Sequence, residues 1–120
     1  MTEATERERA LSPEDLERLF IERVNAGDVE GLVALYEPDA VIALPDGATA
    51  TGLVEIRELF AALVADSPTF EPGTQQPTLR SGELALTSAR FDDGAVTVEV
   101  ARRQPDGTWL FVLDQPNVNG

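Results

Sequence analysis

Two turn signals, Asp93-Gly94 and Pro105-Asp106-Gly107, cut the C-terminal third of the chain into three runs rich in Val, Leu, Thr and Phe. The runs cover 84–91, 95–103 and 108–115, and the breaks between them are only a few residues long. Breaks that short leave no room for a crossover helix, so the runs must pair as an antiparallel meander. A sheet of this kind buries one face against another layer. The N-terminal half has to supply that layer.

It reads as helical. Ser12 is placed to cap a first helix, Pro13 suits its first position, and Asp15 completes a Ser-x-x-Asp capping pattern. Leu16, Leu19, Phe20 and Val24 recur at helical spacing, which leaves Glu17, Arg18 and Glu22 for the solvent side. Gly27 stops this helix. Asp28 is a cap for a second helix with Leu32, Leu35 and Tyr36 on its apolar side, and Pro38 prevents its extension. A short strand at 40–44 ends in Pro45-Asp46-Gly47, and 48–51 can return beside it. Ile56, Leu59, Phe60 and Leu63 mark a third helix, ending near Asp66-Ser67-Pro68. Pro72, Gly73 and Pro77 reduce 70–79 to an irregular edge strand. The fold class expected is α+β, with three N-terminal helices packed on a curved antiparallel sheet. It forms a single domain over 12–120, preceded by a mobile polar tail over 1–11.

Composition removes whole classes of chemistry. The chain has no Cys and no His, and all nine of its basic side chains are Arg. Disulfides, thiol nucleophiles, Ser-His-Asp triads, Cys- or His-ligated metals and lysine Schiff bases are therefore excluded. Carboxylates, hydroxyls, amides, Arg or a bound cofactor would have to carry any reaction. No cofactor and no metal site are expected. The net charge of −13 argues against nucleic acid as a partner. No apolar run is long enough to span a bilayer, and the first ten residues lack the apolar core of a secretory signal. These features point to a soluble cytoplasmic protein with no membrane partner.

The run Asn25-Ala-Gly-Asp-Val-Glu-Gly-Leu-Val-Ala-Leu-Tyr36 resembles the second-helix signature of ketosteroid-isomerase-like and SnoaL-like proteins of the nuclear-transport-factor-2-like superfamily. Pro38-Asp-Ala-Val, Leu44-Pro-Asp-Gly, Thr51-Gly followed by Ile56-Arg57, and Asp106-Gly-Thr-Trp109 are similar in order and spacing. The resemblance runs from about Ser12 to Asn117. It implies a cone-shaped half-barrel with a pocket between sheet and helices, used by isomerases, cyclases, hydratases and epoxide hydrolases. It also implies a homodimer. The catalytic tyrosine and proton-transferring aspartate of the ketosteroid isomerases correspond to Phe20 and Leu44, so their mechanism is not expected. Glu99 falls near their third, acidic position.

Asp114 and Glu99 are the candidate catalytic groups. Asp114 ends the apolar run Trp109-Leu-Phe-Val-Leu113, and simple alternation groups it with Leu110 and Val112, a face that the resemblance to the isomerases implies is the pocket side. A carboxyl there either has a raised pKa or pairs with Arg. Glu99 shares that side if the turn at Pro105-Asp106-Gly107 has two residues. It faces outward if a glycine bulge shifts the pairing, and the alternation of Val96, Val98 and Val100 favours that arrangement, with the valines inward. Phe20, Val24, Tyr36, Leu44, Leu59, Phe60, Leu63, Leu86, Val112 and Asn117 are candidate pocket residues. Trp109, Phe111 and Leu113 are left for the outer face, where a second copy of the chain would cover them. The function these features support is a pocket for a small apolar organic ligand, an acid–base isomerase, cyclase or hydratase. The alternative is a non-catalytic binding or dimerisation domain whose cone is filled by side chains.

Overall fold

The computed structural model describes residues 7–118. Helix α1 (Pro13–Asn25) and the short α2 (Val29–Val33) precede β1 (Tyr36–Ala43) and β2 (Thr49–Thr51), and α3 (Gly52–Ala65) follows. The rest is β3 (Thr74–Gln75), β4 (Leu79–Ser81), β5 (Leu84–Arg90), β6 (Val96–Arg103) and β7 (Trp109–Gln115). The sheet runs β2-β1-β7-β6-β5-β3, with β4 also on β5, and does not close on itself. It is mixed rather than wholly antiparallel, because β1 lies parallel to β7. Among the described residues no helix is long and apolar enough to cross a membrane.

Local chemistry accounts for the helix ends. Pro13 occupies the first turn of α1, but Ser12 makes no side-chain cap; the Asp15 carboxylate accepts instead from the Leu11 amide at 3.1 Å. Gly27 takes φ +68° and ends α1. The Asp28 carboxylate then caps α2 by accepting from the Gly31 amide at 3.0 Å. Gly31 is needed for that closeness, since a Cβ there would lie 2.2 Å from Asp28 Oδ2. Helix α2 is shorter than its apolar pattern suggested, and Tyr36 begins β1 instead of closing the helix. Between Tyr36 and Val41 the register with β7 shifts, and Pro38 sits in that irregular stretch, where no ladder donor is required.

The core lies between α1, α3 and the inner face of the sheet. Leu16, Leu19, Val24, Ile56, Phe60, Ile42, Trp109 and Phe111 are all buried there. Trp109 and Phe111 had been assigned to the outer face, and the β6–β7 hairpin explains the correction. Gln104 and Thr108 pair across a three-residue turn with Gly107 at φ +88°, which sets Arg103 opposite Trp109 and Ala101 opposite Phe111. The ladder then slips by one residue, so Val100 pairs with Leu113 and Glu99 with Asp114. Val112 is the extra residue of a β-bulge. Trp109 and Phe111 face the helices before the bulge, and Asp114 faces them after it. Val96, Val98 and Val100 stand on the outer face, not inside.

That outer face carries an apolar row across five strands. Leu79, Leu86, Val100, Leu113 and Val41 are successive register partners on β4, β5, β6, β7 and β1. Leu79 is 65% exposed, Leu86 37% and Leu113 49%.

The described part of the supposed tail is held against the domain. Ala10 is buried, and its carbonyl accepts from the Trp109 amide at 3.0 Å. Arg7 pairs with Asp28, Arg18 with Glu8, and Arg23 donates to the Glu8 carbonyl. Residues 1–6 of that segment lie outside the described residues.

Candidate functional site

Between α1, α3 and the inner face of β1, β6 and β7 lies a cavity of about 1040 Å³. Phe20 and Ile21 of α1, Leu59, Phe60 and Leu63 of α3, Ile42 of β1, and Phe111 form its apolar wall. Glu17, Glu99 and Asp114 reach it from α1, β6 and β7. Of the expected pocket residues, Phe20, Leu44, Leu59, Phe60, Leu63 and Asn117 line it.

Four do not. Val24 is packed in the core one turn beyond Phe20 and Ile21. Leu86 and Val112 stand on the outer side of the sheet, Val112 because it is the bulge residue opposite Val100. Tyr36 lies behind the wall. Its ring is buried between Phe60 and Phe111, at centroid distances of 5.6 and 5.1 Å, and its hydroxyl donates to Asp114 Oδ2 at 2.6 Å.

The acids are perturbed in one direction. Burial pushes the Asp114 carboxyl up to about 7; the charge of Glu99 adds to the rise, and the Tyr36 hydrogen bond works against it. Glu17 is also pushed up to about 7, first by burial and then by Glu99. Its Oε2 is buried without a hydrogen-bond partner. Glu99 is 6% exposed and raised by burial, although the Thr87 hydroxyl donates to it at 2.7 Å. Tyr36 is raised well above its ordinary value by burial and by the adjacent Asp114, so its hydroxyl stays protonated and acts as a donor.

Glu99 and Asp114 are register partners on one face, so of the two arrangements of Glu99 the inward one is found, through a second slip that cancels the first. Asp114 does face the cavity, but with Phe111 rather than with Leu110 and Val112. Glu17 was missed. It was counted with the solvent side of α1, yet it precedes Phe20 and Ile21 by three and four residues, which places it on their stripe. That spacing was the available signal. Among the described residues no group of three or more acids is arranged to hold a metal ion.

An open sheet with three helices packed against it is the architecture of the nuclear-transport-factor-2-like superfamily. The profile of the SnoaL-like domain matches residues 17–114, and the chain belongs to that family. Solved structures agree on the fold. A Thiobacillus denitrificans protein, provisionally described as a calcium/calmodulin-dependent protein kinase type II association domain, superposes with a TM-score of 0.74 at 17% identity over 92% of this chain and 98% of its own. A ketosteroid isomerase-like protein from Erwinia carotovora atroseptica gives 0.66 at 18% identity, over 85% and 89% of the two chains. A protein of the NTF2-like family from Streptomyces avermitilis, provisionally described as a dehydratase, gives 0.66 at 19%, over 85% and 89%. Comparison with curated proteins gives no match.

Proposed function

We propose that this chain is a cytoplasmic homodimer whose cavity binds a small, largely apolar organic molecule and catalyses an acid–base reaction of the isomerase, cyclase or hydratase type. The observation that carries this reading is the Tyr36–Asp114 pair. A carboxyl with a pKa near 7 exchanges protons readily at neutral pH, where a general acid or base is most effective. Tyr36 fixes its orientation from behind, and Phe20, Phe60 and Phe111 keep its surroundings apolar. Asp114 is the catalytic group in this proposal. Glu99, hydrogen-bonded to Thr87, sets the field around it. The alternative of a filled cone is disfavoured by a cavity of about 1040 Å³, slightly above the roughly 300–1,000 Å³ of small-molecule sites. The likeness to dehydratase- and isomerase-type proteins supports the same reading. The apolar row on the outer sheet face is the proposed dimer surface.

The test is carbon-detected NMR titration of the Asp114 carboxyl, with light scattering on the same samples. The expected result is a midpoint near 7 and a dimer that Leu113→Asp dissociates. A midpoint at or below 4 would remove Asp114 as a proton-handling group. A monomer at micromolar concentration would remove the dimer and leave the site untouched.

A further inference from the structure

The charge inventory of the cavity goes further than its shape. Glu17, Glu99 and Asp114 line its interior, while Glu71, Asp92 and Asp93 line its mouth. No arginine lines it, and the chain contains no Lys and no His. The arginines are committed elsewhere. Arg7, Arg9, Arg18, Arg57, Arg80, Arg102 and Arg103 are in ion pairs outside the cavity. Arg23 donates to the Gly31 and Glu8 carbonyls, and Arg90 alternates onto the outer face of β5. Among the described residues no cation neutralises these acids, so for the three in the interior protons or a ligand must. An orphaned, buried Glu17 Oε2 is one acceptor waiting for a donor. The apolar lining is aromatic as well: Phe20, Phe60, Phe70, Phe91 and Phe111, all the phenylalanines of the chain, take part in it. Ring faces attract cations, most strongly where water is excluded.

We infer that the ligand of this cavity is an organic cation, a protonated amine on an apolar skeleton, with its ammonium among Glu17, Glu99 and Asp114 and its skeleton against the phenylalanines. The inference rests on the proposal that this cavity is the ligand site, and it names the class of ligand. It excludes carboxylates, phosphates and acyl thioesters of nucleotide-bearing carriers, which six acids without a counter-cation would repel. It also links binding to protons. The groups facing the ammonium are Glu17 from α1, Glu99 from β6 and Asp114 from β7, with neutral Tyr36 behind them and Glu71, Asp92 and Asp93 at the mouth; α3 contributes only apolar side chains there. An ammonium favours the ionised carboxyls, so its binding expels protons. Affinity therefore rises with pH through the neutral range, and Asp114 is left as a carboxylate able to accept a proton from the bound molecule.

Three probes with one skeleton test this: naphthylmethylamine, naphthalenemethanol and naphthoic acid, titrated into the full chain by calorimetry at pH 8.0 and pH 5.5. The expected result is an amine preferred over the alcohol by about tenfold or more at pH 8.0, no binding of the acid, and proton release visible as a dependence on buffer ionisation heat. Glu17→Gln and Asp114→Asn should each reduce the amine-over-alcohol preference to below about threefold; two variants guard against one failing to fold. Alcohol bound as tightly as amine, or naphthoate bound at all, would overturn the organic-cation inference while leaving the ligand cavity standing. Failure of all three probes to bind would overturn both.

Discussion

Helix α1 carries a buried charge, Arg23, and a partly buried one, Glu17, and the fold treats them differently. Arg23 is 8% exposed and burial lowers its pKa, but it donates to the carbonyls of Gly31 and Glu8 and has Asp28 nearby, so hydrogen bonds and charge offset part of the cost. Glu17, less than two turns earlier, has a buried oxygen with no partner and a carboxyl pushed up to about 7. A charge that holds segments together is matched by the protein itself. A charge left unmatched on a cavity wall is matched by whatever enters the cavity, or by a proton. The same division runs through the carboxylates. Glu8, Asp28, Glu30 and Glu83 are held below the usual range by hydrogen bonds from Arg18, Arg7, Arg57 and Arg103, whereas Glu17, Glu99 and Asp114 in the cavity interior move up.

The contrast breaks most readily at Arg23. Arg23→Met leaves two carbonyls without their donor and loosens the 7–10 segment, which keeps only the exposed Arg18–Glu8 pair to α1, so it should cost about 2–4 kcal/mol in urea unfolding. A loss below 0.5 kcal/mol, the scale of an ordinary surface change, would show that the segment does not depend on this residue.

Glu17→Gln should move the other way. The folded pKa of about 7 lies above the unfolded value of about 4.3, so the native state keeps a proton that the unfolded chain releases. The Glu17 contribution is complete below about pH 4 and is lost as pH rises through 7, and Asp114 follows the same course. Wild-type stability should therefore fall between pH 5 and pH 8. Glu17→Gln should be neutral near pH 4 and stabilising by about 1–3 kcal/mol at pH 8, a range held below the full shift because the side chain is only partly buried. A wild-type curve that rises across this interval would mean that the cavity acids are compensated after all. The smallest effect belongs to the surface: Arg57→Ala breaks an exposed pair with Glu30 and should leave the melting temperature unchanged within error.

Much of this architecture was legible because it depends on local chemistry. Proline, glycine and aspartate punctuated the chain correctly at Gly27, Asp28, Pro45-Asp46-Gly47 and Pro105-Asp106-Gly107, and the helical stripe of α3 was plain. Pairing between distant strands has no local signal, so the parallel contact of β1 with β7 was not foreseen. Neither was the bulge at Val112, because an apolar run reads the same with or without a slipped register. Asp114 was therefore singled out by its isolation in an apolar run; it lines the cavity, but beside Phe111 and opposite Glu99 rather than with Leu110 and Val112. Glu17 was overlooked because polarity alone was allowed to assign its side.

The bulge at Val112 has a consequence for how such a site can change over time. It works as a phase shift in the strand: everything before it keeps time with the hairpin, and everything after it keeps time with the cavity. Point substitutions around Asp114 can tune this site only by degrees. Loss or gain of one residue in β7 would instead exchange the whole terminal stretch between the two sides of the sheet at once. Relatives that differ by a single residue in the length of this strand would then present different chemistry from nearly the same letters. The natural unit of variation for this cavity is the count of residues as much as their identity.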